Sequence, residues 1–308
     1  MRRYLLLTLS LAVALWSAPP NADVVVFAPH PDDETLGCAG ILAQAAAQGK
    51  TAKVVLITSG DGFPAFASVL TKKPLDQLGR DDFMALARYR QNQARQAITA
   101  LGLKPEDLIL LGYPDSALER LDKFQGTIPF RQEFTQQSVT YALIQKDYHS
   151  AVHGSPAPYT LKAAVADLVE ILRTLHPKQI YVTDAADLHP DHSTSFRFVQ
   201  EAAKEVGFQG EFYTYLNHGG EEWPWPSGIT PDKPFAAHAV KGRTIPIGIA
   251  WPPTKRVPLT RQQADLKLRA IRAHSTHLVG ATDPTMVEER SYLESFVKSE
   301  EVFWIVGR

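Results

Sequence analysis

Val24–Ala28 (VVVFA) is continuously apolar and mostly β-branched, with no polar residue to turn toward water. A strand of this kind needs both faces covered, as in the centre of a parallel sheet. Similar runs recur at Lys53–Thr58, Asp107–Leu111, Gln179–Thr183 and Glu211–Leu216. Between them the pattern predicts helices at Thr35–Gln48 (closed by Gly49), Arg80–Leu101 (ended by Gly102), Leu161–Leu175 and Ser193–Val206. Strands alternating with helices of this length predict an α/β fold, a mostly parallel sheet with helices on both faces.

Two stretches interrupt the alternation. Ser116–Tyr159 has scattered aromatics and no period, and reads as an insertion or lid beside a substrate. Gly219–Pro258 holds eight of the 22 prolines and three of the five tryptophans, and reads as an irregular excursion. Two helical stretches, Thr260–His274 and Asp283–Val297, and an apolar strand, Glu301–Val306, end the chain. The expected organisation is a core over 23–218 with an insertion at 116–159, and a Pro/Trp-rich segment with a C-terminal extension over 219–308.

Met1–Ala22 stands apart. Arg2 and Arg3 precede an almost uncharged apolar run, Tyr4–Trp16, followed by small residues and prolines. This is the pattern of a secretory signal, too short to span a bilayer comfortably. Ala18 and Ala22 are small enough to end a leader, but Trp16 and Pro20 fit the rest of a cleavage motif poorly. An uncleaved N-terminal anchor is therefore the alternative. The expected destination is periplasmic or extracellular, with no membrane span after signal removal.

The formal net charge of −1 argues against a nucleic-acid binder. A single Cys excludes an intramolecular disulfide framework and any multi-cysteine metal cluster, so a bound metal would need His and carboxylate ligands. The first strand supplies them, running straight into Pro29-His30-Pro31-Asp32-Asp33-Glu34 before a helix begins. Ligands of open α/β sheets collect at the carboxyl ends of strands. One imidazole and three carboxylates within five residues repel one another when the acids are ionised, unless a cation sits among them. The strand ending at Thr183 leads to a second cluster, Asp184, Asp187, His189, Pro190, Asp191 and His192. A lone His-Pro-Asp at a strand end reads as a turn with a capping Asp, and Asp33 and Asp191 are candidates for caps. Two such clusters at strand ends read instead as three or four N/O ligands that meet across a crevice, a set suited to catalytic Zn²⁺.

PHPDDE after one strand and HPDH after another resemble the PIG-L/LmbE-like N-deacetylase family, which includes deacetylases of N-acetylglucosaminylphosphatidylinositol and of the mycothiol and bacillithiol pathways. Ala97–Gly102 and Leu108–Ser116 (LILLGYPDS) extend the resemblance, which covers about Asp23 to Val206. It implies a Rossmann-like fold and one zinc ion per chain, with other divalent ions as alternatives. The implied metal ligands are His30, Asp33 and His192. Asp32 would be the general base. A cationic His189, its ring oriented by Asp191, would stabilise the oxyanion or protonate the leaving amine. Where the family has Arg-x-x-Glu, this chain reads Arg90-Gln91-Asn92-Gln93. Arg90 is kept and would bind a substrate hydroxyl or phosphate, whereas Gln93 replaces the acid.

The implied activity is metal-dependent removal of an N-acetyl group from an N-acetylglucosamine-type sugar or glycoconjugate. The rivals are an amidase or esterase acting on another acyl compound, a phosphoester hydrolase, and an inactive glycan-binding relative. Trp223, Trp225 and Trp251 either stack on sugar rings or pack the fold. His274 and His277 read as surface or cap residues.

Overall fold

The computed structural model describes residues 21–123, 128–275 and 284–307. The leader expected at Met1–Ala22 lies outside them except for its end. There, Ala22 is fully buried and its backbone bridges Leu175 and Lys178, so the fold takes in a residue assigned to the leader.

In chain order the elements are β1 (Val24–Ala28), α1 (Asp33–Ala47), β2 (Ala52–Thr58), α2 (Pro64–Thr71), α3 (Arg80–Ala100), β3 (Leu108–Tyr113), α4 (Leu118–Lys123), α5 (Tyr148–His153), α6 (Leu161–Leu175), β4 (Gln179–Thr183), α7 (Pro190–Glu205), β5 (Glu211–Tyr215), β6 (His238–Val240), β7 (Arg243–Ile245), β8 (Lys255–Pro258), α8 (Arg261–His274), α9 (Pro284–Glu294) and β9 (Glu300–Ile305). The main sheet runs β3-β2-β1-β4-β5-β9-β8. Its first five strands are parallel, β9 is antiparallel to β5, and β8 is antiparallel to β9.

The alternation within β1 explains the two layers. Val24, Val26 and Ala28 pack with Cys38, Ala39 and Leu42 of α1, Ala94 and Ile98 of α3, and Ala270 of α8. Val25 and Phe27 point the other way, against Leu168 and Ile171 of α6 and Phe198 and Val199 of α7. Cys38 is buried and acts as a small hydrophobe.

The C-terminal extension is continuous with the core. β9 pairs with β5, and α8 lies against α1 and α3. The segment expected to be irregular includes the β6–β7 hairpin and an edge strand, β8. β8 reads Lys-Arg-Val-Pro, which lacks the apolar run that flagged the buried strands and suits a sheet edge. Trp223 stacks on Phe235 and Trp251 lies near Trp304, both in an apolar cluster with α8, α9 and β9. These two tryptophans serve packing, and Trp225 stacks on His238.

A buried ion pair ties the extension down. Lys267 of α8 donates to Glu301 of β9 and to the Leu36 carbonyl, each at 2.7 Å. Glu301 also accepts from the Gly40 and Ile41 amides at 2.8 and 3.0 Å. Lys267→Ala would leave the Glu301 carboxylate buried without its cation. We expect a loss of about 3–5 kcal/mol in urea unfolding. An unchanged stability would show that this pair does not hold the extension.

Candidate metal centre and catalytic cavity

β1 and β4 are parallel neighbours, with Val26 opposite Tyr181, and the chain leaves this pair in opposite directions across the sheet. Their carboxyl ends therefore open into one crevice at the topological switch point. Both clusters read from the sequence enter it. The helices begin earlier than expected, α1 at Asp33 and α7 at Pro190. Acidic residues in the first turn favour this, as does Pro190 at the first position of α7. Asp33 and Asp191 consequently lie inside their helices rather than at the caps. The cap of α7 is His189, whose Nδ1 accepts from the Asp191 amide at 3.2 Å.

Three atoms converge on one point. His30 Nδ1 lies 3.2 Å from Asp33 Oδ2 and 3.1 Å from His192 Nε2. His192 Nε2 lies 3.1 Å from the same Asp33 oxygen. A tetrahedral ion with bonds of about 2.0–2.1 Å spaces its N and O ligands about 3.3 Å apart. The donor set and its spacing therefore fit a divalent metal.

Each of these three candidate ligands is held from behind. His30 Nε2 faces Asp115 Oδ1 at 3.0 Å and Asp191 Oδ2 at 3.3 Å. His192 Nδ1 approaches Asp187 Oδ2 at 3.1 Å, without hydrogen-bond alignment. Asp33 Oδ1 accepts from Asn217 Nδ2 at 2.7 Å. Asp187 is itself fixed by the amides of His189, Asn217 and His218, each at 3.0 Å. Carboxylates behind ligating imidazoles set tautomer and ring orientation.

Asp191 has a different partner from the one expected. Its carboxylate accepts from the amides of Ser116 at 2.7 Å and Leu118 at 3.0 Å and turns toward His30, not toward the His189 ring. The early start of α7 causes this, because it places Asp191 in the first turn, facing the segment after β3.

Asp32 stands beside the ligands with φ 137°, a conformation rare for a residue with a Cβ. Such strain, about 1–3 kcal/mol, persists where surrounding contacts over-determine it. Here the Asp32 carbonyl accepts from Thr35 and Leu36, and its amide donates to Glu34 Oε2 at 3.0 Å. Arg90 Nη2 donates to Asp32 Oδ2 and to the Pro31 carbonyl, both at 2.8 Å, and Nη1 to the Gly60 carbonyl at 3.1 Å. Gln93, where the family has an acid, donates to the His274 carbonyl at 2.8 Å. His274 is buried rather than at the surface, with Nε2 3.0 Å from Glu34. His277 lies outside the described residues.

Burial and charge set the protonation pattern. Burial depresses His30, but Asp115, Asp191 and Asp33 outweigh it and hold the imidazole well above its ordinary value. Burial likewise opposes His192, which Asp187 and Asp33 raise to about 9. Burial would lift Asp33, but His192 and His30 keep it well below the carboxylate range. Asp32 is raised, by burial and by Asp33 and Glu34 against the pull of Arg90. His189 is pushed down to about 3, by burial and then by His30, His192 and His218. It is therefore neutral, not cationic. With Nδ1 accepting from the Asp191 amide, its proton sits on Nε2.

These groups surround a cavity of about 270 Å³ lined by His30, Asp32, Asp33, Arg90, His189 and Glu289, among others. The sequence reading named Asp187 in the second cluster without giving it a role, and it missed Asp115, Asn217 and Glu289. Asp115 carried a signal, a carboxylate just beyond a strand end. Burial, with the Asp32 and Asp33 carboxylates, lifts Glu289 of α9 to about 7.

Fold and cleft define an α/β protein with a two-histidine, one-aspartate cluster of metal-ligand type at the switch point. A sequence model of PIG-L, described as GlcNAc-PI de-N-acetylase, matches residues 25–203, and the chain belongs to this family. The 1D-myo-inositol 2-acetamido-2-deoxy-alpha-D-glucopyranoside deacetylase of Corynebacterium jeikeium (strain K411) is 26% identical over 290 residues, covering 85% of this chain and 79% of that protein. The N,N'-diacetylchitobiose deacetylase from Pyrococcus horikoshii shares the fold with a TM-score of 0.54 and 18% identity, over 92% of this chain and 83% of its own. So does GalB, the 4-carboxy-2-hydroxymuconate hydratase from Pseudomonas putida KT2440, with a TM-score of 0.51 and 16% identity, over 93% and 97%.

Ligation needs neutral imidazoles, so metal uptake must displace the protons on His30 and His192. At pH 7 we expect about two protons released per ion, read by calorimetry in buffers of different ionisation enthalpy. Release should shrink above the His192 value of about 9, where that ring no longer has a proton to give up. No release at pH 7 would show that both rings are neutral in the metal-free protein.

Proposed function

We propose that this protein hydrolyses the N-acetyl group of an N-acetylglucosamine-type sugar or glycoconjugate, releasing acetate and a free amine. The observation that carries the reading is the convergence of His30 Nδ1, Asp33 Oδ2 and His192 Nε2 within 3.2 Å of one another, in a cavity that Asp32 and His189 also line. Family membership and the name of the Corynebacterium relative support an N-deacetylase.

His30, Asp33 and His192 would hold the ion, and zinc suits this imidazole and carboxylate set. When bound, such an ion supplies Lewis acidity, polarising a carbonyl and making water more acidic.

Asp32 is the general base. Burial and neighbouring carboxylates raise its proton affinity, and Arg90 fixes the side chain. It takes a proton from the water that attacks the acetamide carbon, and returns it to the nitrogen as the C–N bond breaks. His189 donates its Nε2 proton in a hydrogen bond to the oxygen where negative charge develops. As a neutral ring it stabilises that charge but does not protonate the amine. Asp191 and Asp115 steady His30. Arg90 is a positioning residue for Asp32, since two carbonyls and that carboxylate occupy its Nη atoms, rather than a direct ligand of a sugar hydroxyl or phosphate.

The cavity is near the small end of ligand pockets, which run from ~300 Å³ upward. That supports a substrate that presents one sugar residue at a time. The leader pattern supports export, so extracytoplasmic glycans belong to this proposal. No helix among the described residues is long and apolar enough to cross a membrane.

Asp32→Asn should lower acetate release by about 10²–10⁴-fold with metal content unchanged. Turnover at the wild-type rate would remove Asp32 as the base. His189→Ala should lower kcat by about 10²–10³-fold and leave KM nearly unchanged. A loss confined to KM would place His189 in substrate binding instead.

A further inference from the structure

A second cluster of metal-ligating side chains shares no residue with the catalytic one. His149 and His153 are four residues apart on α5, so both rings leave the same face of the helix. Asp167 and Glu170 are three apart on α6 and face them. His149 Nδ1 lies 2.7 Å from Asp167 Oδ1, and His153 Nε2 lies 2.8 Å from Glu170 Oε2. The two rings sit side by side, with centroids 4.4 Å apart. One ligand atom each from His149, His153 and Asp167 falls within 4.8 Å of the others.

We propose that His149, His153 and Asp167, with Glu170 as a fourth donor, bind one divalent transition-metal ion that fastens the 116–159 insertion to α6.

The chemistry of the set supports zinc-like ions. Two imidazoles with one or two carboxylates match the borderline-soft divalent metals and suit Ca²⁺ or Mg²⁺ poorly, because those ions select oxygen. Asp167 is held as a ligand should be: it is buried, and its second oxygen accepts from Tyr113 Oη at 2.6 Å. The His153 and Glu170 side chains are 43% and 37% exposed, which leaves an entry path and room for a water ligand. Each ligand atom already meets an opposite partner from the other helix, so an ion would replace two separate contacts by one shared centre.

The ion would have structural work to do. α5 has only six residues, too few to be stable as an isolated helix. Two ligands on α5 and two on α6 would close the chain between them and remove entropy from the unfolded state. Tyr113 lies at the end of β3, two residues before Asp115, so the site adjoins the segment that carries the His30 partner.

The test uses the full-length protein, stripped with chelator, dialysed against Zn²⁺ and assayed for metal content and thermal midpoint. Wild type should hold one more ion per chain than the His149→Gln/His153→Gln double variant. Glutamine keeps a donor toward Asp167 and Glu170, so this variant should fold and should retain acetate release. Its affinity for the extra ion should fall by more than about 100-fold. A His192→Ala chain should lose the catalytic ion and keep this one, with Zn²⁺ still raising its thermal midpoint. Equal metal content in wild type and the double variant would overturn the proposal, as would a His192→Ala chain that binds no Zn²⁺. Neither result bears on the deacetylase reading, which stands or falls on Asp32 and acetate release.

Discussion

The parallel pairing of β1 with β4 is the constraint on which the rest of the site depends. From β1 the chain moves outward through β2 and β3, and from β4 it moves the other way through β5. The two connections diverge, so the carboxyl ends of both strands stay open to the crevice between them. His30 and His192, 162 residues apart in sequence, meet there at 3.1 Å. A shift of either strand by one residue would turn the following loop to the other face of the sheet and separate them. Dense packing on both faces of β1 opposes such a shift.

The charges that this pairing gathers would repel strongly without compensation. Asp33, Asp115, Asp187 and Asp191 are all buried within reach of His30 or His192. Protonated imidazoles offset part of this charge in the metal-free protein, and a divalent ion would carry the same charge as the two protons it displaced. The cleft is thus built for positive charge at one point. His189, close to the other rings but without a carboxylate of its own, is pushed the opposite way and stays neutral. Arg90 offsets the Asp32 carboxylate and, through the Pro31 carbonyl and that side chain, supports Asp32 in a backbone conformation rare for a residue with a Cβ.

Local signals were enough for much of this. The strand and helix pattern placed β1 and β4 at their observed limits, the motif positions put both His/Asp clusters at strand ends, and the family resemblance implied His30, Asp33 and His192 as one ligand set. Those features depend on apolar runs, first-turn acids and motif residues a few positions apart. The edge strand β8 was not readable, because an edge needs no apolar run. Glu34 and His274 meet across 240 residues, and Asn217 reaches Asp33 across 184, so neither contact leaves a short-range trace. Glu289 is on a helix whose pattern shows a helical segment and says nothing of the cavity it faces.

The sequence by itself determined the α/β class, the strands that flank the cleft and the imidazole and carboxylate groups at their ends, since these follow from periodicity and residue type over short distances. The tertiary structure decided how those residues are used. It turned Asp191 toward His30, set Arg90 against Asp32, and placed Asp115 and Asp187 behind the His30 and His192 rings. It also set His189 as a neutral donor rather than a cation. These are outcomes of burial and of through-space charge, and both depend on which distant segments the sheet order brings together.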